Sequence, residues 1–179
     1  QTVFLKGRYI GENTRAIYDL MDHTEKNNIP ALLLLIDFEK AFDSVAWSFI
    51  NETLRYFNFG ESIIKWFSVF YKNAKSCVIV NGHVSSWFNL GRRCRQGDPL
   101  SPYIFIVCVE ILANLLRQNP EVKGIHINGV EFLNFQYADD TSLILEASEE
   151  SLKNALNLIM FYSKFSGLSM NNDKTRVIW

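Results

Sequence analysis

From Ala31 to Ile36 the chain runs through six residues without a polar side chain and then stops abruptly at Asp37. A run of that length with no alternation predicts a strand buried on both faces, so packed layers must lie on either side of it. Helical spacing supplies them. Asn13 as a cap, followed by Ala16, Ile17, Leu20 and Met21, predicts a helix to about Asn27, stopped by Pro30. Ser44 opens a second helix through Trp47, Ile50, Leu54 and Phe57. Gly60 breaks it, and Ile63, Ile64, Phe67, Phe70 and Tyr71 define a third. A long apolar helix starts at Pro99 and Ser101 and reaches about Gln118, and a last one runs from Ser148 to Gly167 before a terminal strand.

Two Asn-Gly pairs, the strongest short-range hairpin signal, punctuate the rest. Asn81-Gly82 lies between strand-like residues 76–80 and 84–90, and Asn128-Gly129 between 125–127 and 130–132. A third pair of arms, 135–137 and 142–145, is joined by a turn containing Ala138, Asp139 and Asp140. Helices interspersed with short strands and hairpins give an α+β class, with helices backing a small, mostly antiparallel sheet. At 179 residues, 48% hydrophobic and without a linker or repeat, residues 1–179 read as one domain around one sizeable core. The stretch 31–36 is too short to cross a bilayer and 103–116 carries Glu110 in its middle, so no membrane is expected. Three cysteines, an odd number without C-x-x-C spacing, indicate no zinc site and read as buried or indifferent thiols of a reducing compartment. The chain opens without Met or a secretion signal and closes on Val177, Ile178 and Trp179 inside a strand, so both ends are expected to be cuts in a longer protein.

The acids carry the chemistry. Two adjacent aspartates at a hairpin tip and a third at the end of a buried strand repel one another and raise each other's pKa unless a cation sits between them. Mg²⁺ takes oxygen ligands and binds through one or two carboxylates plus substrate phosphates, which suits Asp37 and Asp139 acting together. Two such ions about 3.5–4 Å apart support in-line displacement at phosphorus. Alone, Asp139-Asp140 is a commonplace turn and Asp37 a commonplace helix cap, and spacing does not show that the three converge. Glu39 and Asp43 sit where turns and helix starts favour acids and are left out of the site. The net charge of −1 runs against a protein that grips phosphates.

Three blocks in order resemble the reverse transcriptases of non-long-terminal-repeat (LINE-type) retrotransposons. They are Leu35-Ile36-Asp37-Phe38-Glu39-Lys40-Ala41-Phe42-Asp43-Ser44-Val45, then Cys94-Arg95-Gln96-Gly97-Asp98-Pro99-Leu100-Ser101-Pro102, then Tyr137-Ala138-Asp139-Asp140-Thr141. Gly7-Arg8 with Asn13 upstream, and Ser166-Gly167-Leu168 with Asn171 and Lys174-Thr175 downstream, add weaker support. The resemblance implies the palm and part of the fingers of a right-hand polymerase without its thumb, inactive by itself, performing RNA-directed DNA synthesis in the intact parent.

It makes Asp37 and Asp139 the principal ligands of two Mg²⁺ (or Mn²⁺) ions, Asp140 the third carboxylate and the Phe38 carbonyl an extra ligand. Phe42 becomes a steric gate against the 2′-hydroxyl of an incoming nucleotide. Gln96 and Gly97, with Arg95 beside them, form the loop against nucleotide and template, and Lys174 protonates the departing pyrophosphate. Arg8, Arg92 and Arg93 become phosphate contacts. Partners implied are an RNA template, a DNA primer or target, dNTPs, and an endonuclease elsewhere in the parent, with a nuclear and cytoplasmic ribonucleoprotein as the setting. The low net charge fits a palm that carries the acids while thumb and flanking regions supply basic surface. The family usually has glycine where Arg93 stands.

Three other readings stay open. An RNA-dependent RNA polymerase shares the palm, but Phe42 argues against it. A group II intron-type reverse transcriptase shares Tyr137-Ala138-Asp139-Asp140, but the block from Cys94 to Pro102 favours the retrotransposon branch. The third is a non-enzyme, a decayed or co-opted copy that at most binds nucleic acid, which Arg93 keeps in play.

Overall fold

The run after Pro30 forms β1 (Ala31–Ile36) and is buried on both faces, as its lack of alternation requires. The computed structural model describes residues 1–95 and 97–178. Ahead of β1 lies helix α1 (Ile10–Lys26). Asn13 does not cap it: the helix begins three residues earlier, and the Asn13 amide instead donates to the Gln136 carbonyl at 2.9 Å. After β1 come a one-turn helix α2 (Ala41–Ser44), then α3 (Trp47–Tyr56) and α4 (Glu61–Tyr71). Ser44 therefore ends a short helix rather than opening a long one. Its hydroxyl donates to the Glu39 and Lys40 carbonyls, and α3 begins three residues later with Ala46 at its N-cap.

Both Asn-Gly hairpins form. Around Asn81-Gly82 the strands are β2 (Lys75–Ser76), β3 (Ile79–Val80), β4 (His83–Val84) and β5 (Phe88–Asn89), with β2 paired to β5 and β3 to β4. Helix α5 (Ser101–Gln118) follows, then β6 (Ile125–Ile127) and β7 (Val130–Phe132) around the second pair. The third pair of arms is β8 (Asn134–Tyr137) and β9 (Asp140–Glu146), so the joining turn shrinks to Ala138 and Asp139. Ser148 caps α6 (Glu149–Ser166), its hydroxyl accepting from the Ser151 N–H at 3.1 Å, and β10 (Arg176–Ile178) closes the order.

One antiparallel sheet, in the order β10-β1-β9-β8, organises these pieces. The β1 side chains of Leu32, Leu34 and Ile36 enter the main core with Leu143 and Leu145 of β9, Phe105, Leu112 and Leu116 of α5, and Ile159 of α6. Leu33 points the other way, into a smaller cluster with Leu20, Ile125 and Ile144. Helix α5 is long and apolar enough by composition to cross a membrane, yet Phe105, Val109, Leu112 and Leu116 on it are fully buried in the protein core. All three cysteines are unpaired, with Cys94 and Cys108 buried. Burial pushes the Cys94 thiol up to about 12, with Asp98 and Asp43 adding to it, so it stays protonated and unreactive.

Candidate active site

Strand pairing decides which acids meet. The β1–β9 ladder ends at Ile36↔Thr141, and one step further sets Asp37 opposite Asp140. The β1–β10 ladder ends at Leu35↔Arg176; beyond it the Asn171 N–H donates to the Asp37 carbonyl, and the turn ahead of β10 carries Lys174 beside Asp37. Partners across antiparallel strands share a face, so Asp37 and Asp140 lie side by side, and Lys174 completes the row from that turn. All three line one open cavity of about 450 Å³ at the end of the sheet, with Leu35, Ile36, Thr141 and Ser142. The Lys174 ammonium lies 3.6 Å from an Asp37 carboxylate oxygen. Asp139 occupies the hairpin tip beside this row, one residue before Asp140, so the carboxylate directly facing Asp37 is Asp140 rather than Asp139.

The Asp140 carboxyl is raised above the usual carboxylate range, first by burial and then by the charges of Asp139 and Asp37, with Lys174 pulling the other way. These groups feel one another, yet among the described residues no three acidic, histidine or cysteine side chains converge on a single point. That arrangement is unlike a structural metal cage. It fits a hydrated hard cation held by one or two carboxylates together with substrate phosphates, which needs oxygen donors around an open space. The Phe38 carbonyl fits as well: the bonds flanking the Phe38–Met170 bridge use the Asp37 carbonyl and the Glu39 N–H, leaving that carbonyl out of the bridge.

The turn itself is held from the far end of the chain. Ala138 has φ of 53°, a left-handed conformation that costs a residue with a Cβ roughly 1–2 kcal/mol. The Gln1 amide clamps it, its oxygen accepting from the Ala138 N–H at 3.0 Å and its nitrogen donating to the Ala138 carbonyl at 3.2 Å. Next door, the Thr2 N–H and hydroxyl both donate to the Gln136 carbonyl. No local pattern announced Gln1 as part of the site, because its partner lies 137 positions away.

The other expected residues do not line this cavity. The Phe42 ring stacks on Phe105 with centroids 4.2 Å apart, and its carbonyl accepts from the Cys94 N–H at 2.6 Å. Gly97 has φ of 83° with open space where a Cβ would stand, a backbone suited to close approach by a ligand. Gln96 lies outside the described residues. Arg95 donates to the Phe70 carbonyl at 2.7 Å and lies over the Tyr71 ring. Arg93 has φ of 101°, the region that glycine favours, and its guanidinium lies 2.9 Å from a carboxylate oxygen of Asp43, though not aligned as a hydrogen bond. Asp43 thus lies against the charge of Arg93, one of the arginines expected at the phosphates. Arg8 sits 3.7 Å from Glu12 in an exposed pair, while Arg92 is exposed.

With this geometry, residues 2–179 match the family described as Reverse transcriptase (RNA-dependent DNA polymerase). The chain belongs to the reverse transcriptase family. Among curated proteins it is similar to the Transposon TX1 uncharacterized 149 kDa protein of Xenopus laevis, 28% identical over 82% of this chain and 11% of that protein. It is also similar to the Retrovirus-related Pol polyprotein from type-1 retrotransposable element R2 of Nasonia vitripennis, 28% identical over 95% of this chain and 16% of that protein. These retrotransposon relatives agree with the branch that the three sequence blocks resemble. The chain spans well under a fifth of either relative's length. Among solved structures, apo telomerase from Candida tropicalis aligns with 95% of this chain and 31% of its own, at a TM-score of 0.67 and 15% identity. That likeness shows a shared α+β fold, and the reverse transcriptase family generally works with divalent metal ions.

Proposed function

We propose that this domain is the catalytic floor of an RNA-directed DNA polymerase of a non-long-terminal-repeat retrotransposon. It would join a dNTP to a primer 3′-hydroxyl on an RNA template. The observation that carries the reading is the row of Asp140, Asp37 and Lys174 at one end of the sheet, with Asp139 at the adjoining tip.

Asp37, Asp139 and Asp140, with the Phe38 carbonyl, would hold two Mg²⁺ ions. When bound, these would activate the attacking hydroxyl and neutralise the triphosphate. Lys174, whose charge now answers Asp37, supplies a cation beside the phosphates and a proton for the departing pyrophosphate. Phe42, fixed by its stack on Phe105, offers a rigid surface against a 2′-hydroxyl. Gly97 would give backbone access to the nucleotide, and Arg95, tethered at Phe70, a charge beside it. The remaining fingers, the thumb, an endonuclease and the setting of a nuclear and cytoplasmic ribonucleoprotein belong to the same proposal for the parent protein.

The test is primer extension by the full-length protein on RNA and DNA templates, with dNTPs against rNTPs. The reading expects RNA-templated extension with strong preference for dNTPs. Equal use of rNTPs would favour the RNA polymerase alternative, and absence of extension by a folded full-length protein would favour the decayed copy.

A further inference from the structure

From Ser62 to Gly97 the sequence contains no Asp or Glu but six Lys and Arg, which leaves twelve basic against nineteen acidic residues in the rest of the chain. The near-zero net charge thus hides a sharp segregation. This stretch includes the arm built from β2 to β5, and the arm is apolar on its outside. Ile79 is 67% exposed, Val84 59%, Trp87 66% and Phe88 47%. The two ladders of the arm differ in register by one residue, the mark of a bulge between Ser76 and Val78 on one strand and Ser85 and Phe88 on the other. A bulge bends and twists a strand and re-aims its side chains, here next to Trp87.

The base of the arm is anchored to the wall of the candidate site. The Cys94 N–H donates to the Phe42 carbonyl, the Arg93 N–H to the Val45 carbonyl, and the Trp47 N–H to the Gly91 carbonyl. Arg93 is answered by Asp43 and Arg95 is tethered at Phe70. Lys72, Lys75 and Arg92 are exposed and, among the described residues, none pairs with a carboxylate.

From this we infer that the arm is a binding surface for single-stranded nucleic acid, with Trp87 and Phe88 as stacking platforms and Lys72, Lys75 and Arg92 on the phosphates. The inference deepens the polymerase reading and rests on it for the presence of a polynucleotide near the site. Exposed aromatics among unneutralised cations, with no acid for 36 residues, suit a polyanion whose bases stack without sequence preference. A protein-docking face is ordinarily depleted of charge at its centre.

The experiment is fluorescence anisotropy of a labelled single-stranded oligouridylate with the 179-residue chain, in EDTA and without dNTP. Binding therefore requires neither metal nor catalysis. Replacing both aromatics (W87A/F88A) should weaken binding about tenfold or more. Neutralising the cations (K72Q/K75Q/R92Q) should flatten the slope of log affinity against log salt by about 2, near 0.7 for each lost phosphate contact. Both arm variants alter exposed side chains, so circular dichroism spectra should superpose with that of the unsubstituted chain. The proposal is overturned if the folded arm variants keep both affinity and salt slope, or if the unsubstituted chain does not bind. It is overturned equally if the arm variants lose only self-association in sedimentation, which would make the arm a protein-docking surface. Normal arm-dependent binding in a protein that never extends a primer would instead remove the polymerase reading and leave the arm.

Discussion

Asp140 shows how function and stability oppose each other at one residue. Its carboxyl is raised by burial and by Asp139 and Asp37, so the folded state binds that proton more tightly than the unfolded chain does. The ionised group therefore costs stability at neutral pH, and the cost fades as pH falls through the raised value. Asp140→Asn should raise Tm at pH 7 by a few degrees at most, since solvent exposure keeps the gain below about 1 kcal/mol. The gain should vanish below about pH 4, near the unfolded carboxylate value. Thermal melts of both proteins across pH measure it.

Gln1 makes the complementary case, a residue with no chemistry that holds one with it. Gln1→Ala removes two hydrogen bonds from the left-handed Ala138, at about 0.5–1.5 kcal/mol each. It should lower Tm by a few degrees and slow extension by the full-length protein more than it changes primer affinity. The acids were legible from motif order. The clamp was not, because sequence patterns report neighbours and this contact joins residues 137 positions apart.

Local signals gave the elements well where the physics is local. The unbroken apolar run to Ile36 formed a two-faced strand, both Asn-Gly pairs formed hairpins, and Ser148 capped α6. Asn13 was misread because a tertiary contact claims its side chain, and Ser44 because it closes the one-turn helix α2 instead, bonding back to Glu39 and Lys40. Convergence was the illegible part of the site. Only the register of β9 against β1, and the turn leading into β10, set Asp140 and Lys174 beside Asp37.

The end of α6 fixes that wall. Gly167, at φ of 80°, packs so closely that a Cβ would lie 2.5 Å from the Ser44 carbonyl, while the Ser166 carbonyl accepts from the Ala46 N–H. Gly167→Ala combines a left-handed Cβ with a backbone clash. It should cost at least about 2 kcal/mol, or roughly 4–8 °C in Tm, in a calorimetric scan.

The whole molecule separates its charges by task. Asp37 and Asp140 line the cavity at the sheet end, where phosphates and metal would meet, while the 36 residues from Ser62 to Gly97 carry no acid. A net charge of −1 thus includes a locally basic stretch. The departure at Arg93, where the family usually has glycine, is accommodated by a left-handed backbone and the nearby Asp43. A conformational cost at one loop residue does not dismantle the carboxylate row.

That row is the central claim, and single-turnover primer extension on an RNA template by the full-length protein tests it most directly. Asp37→Asn, Asp139→Asn and Asp140→Asn should each lower the rate at least about a thousandfold while primer–template binding is retained, a loss of some 4 kcal/mol of transition-state stabilisation. Extension by the Asp37→Asn protein at the unsubstituted rate would contradict the account.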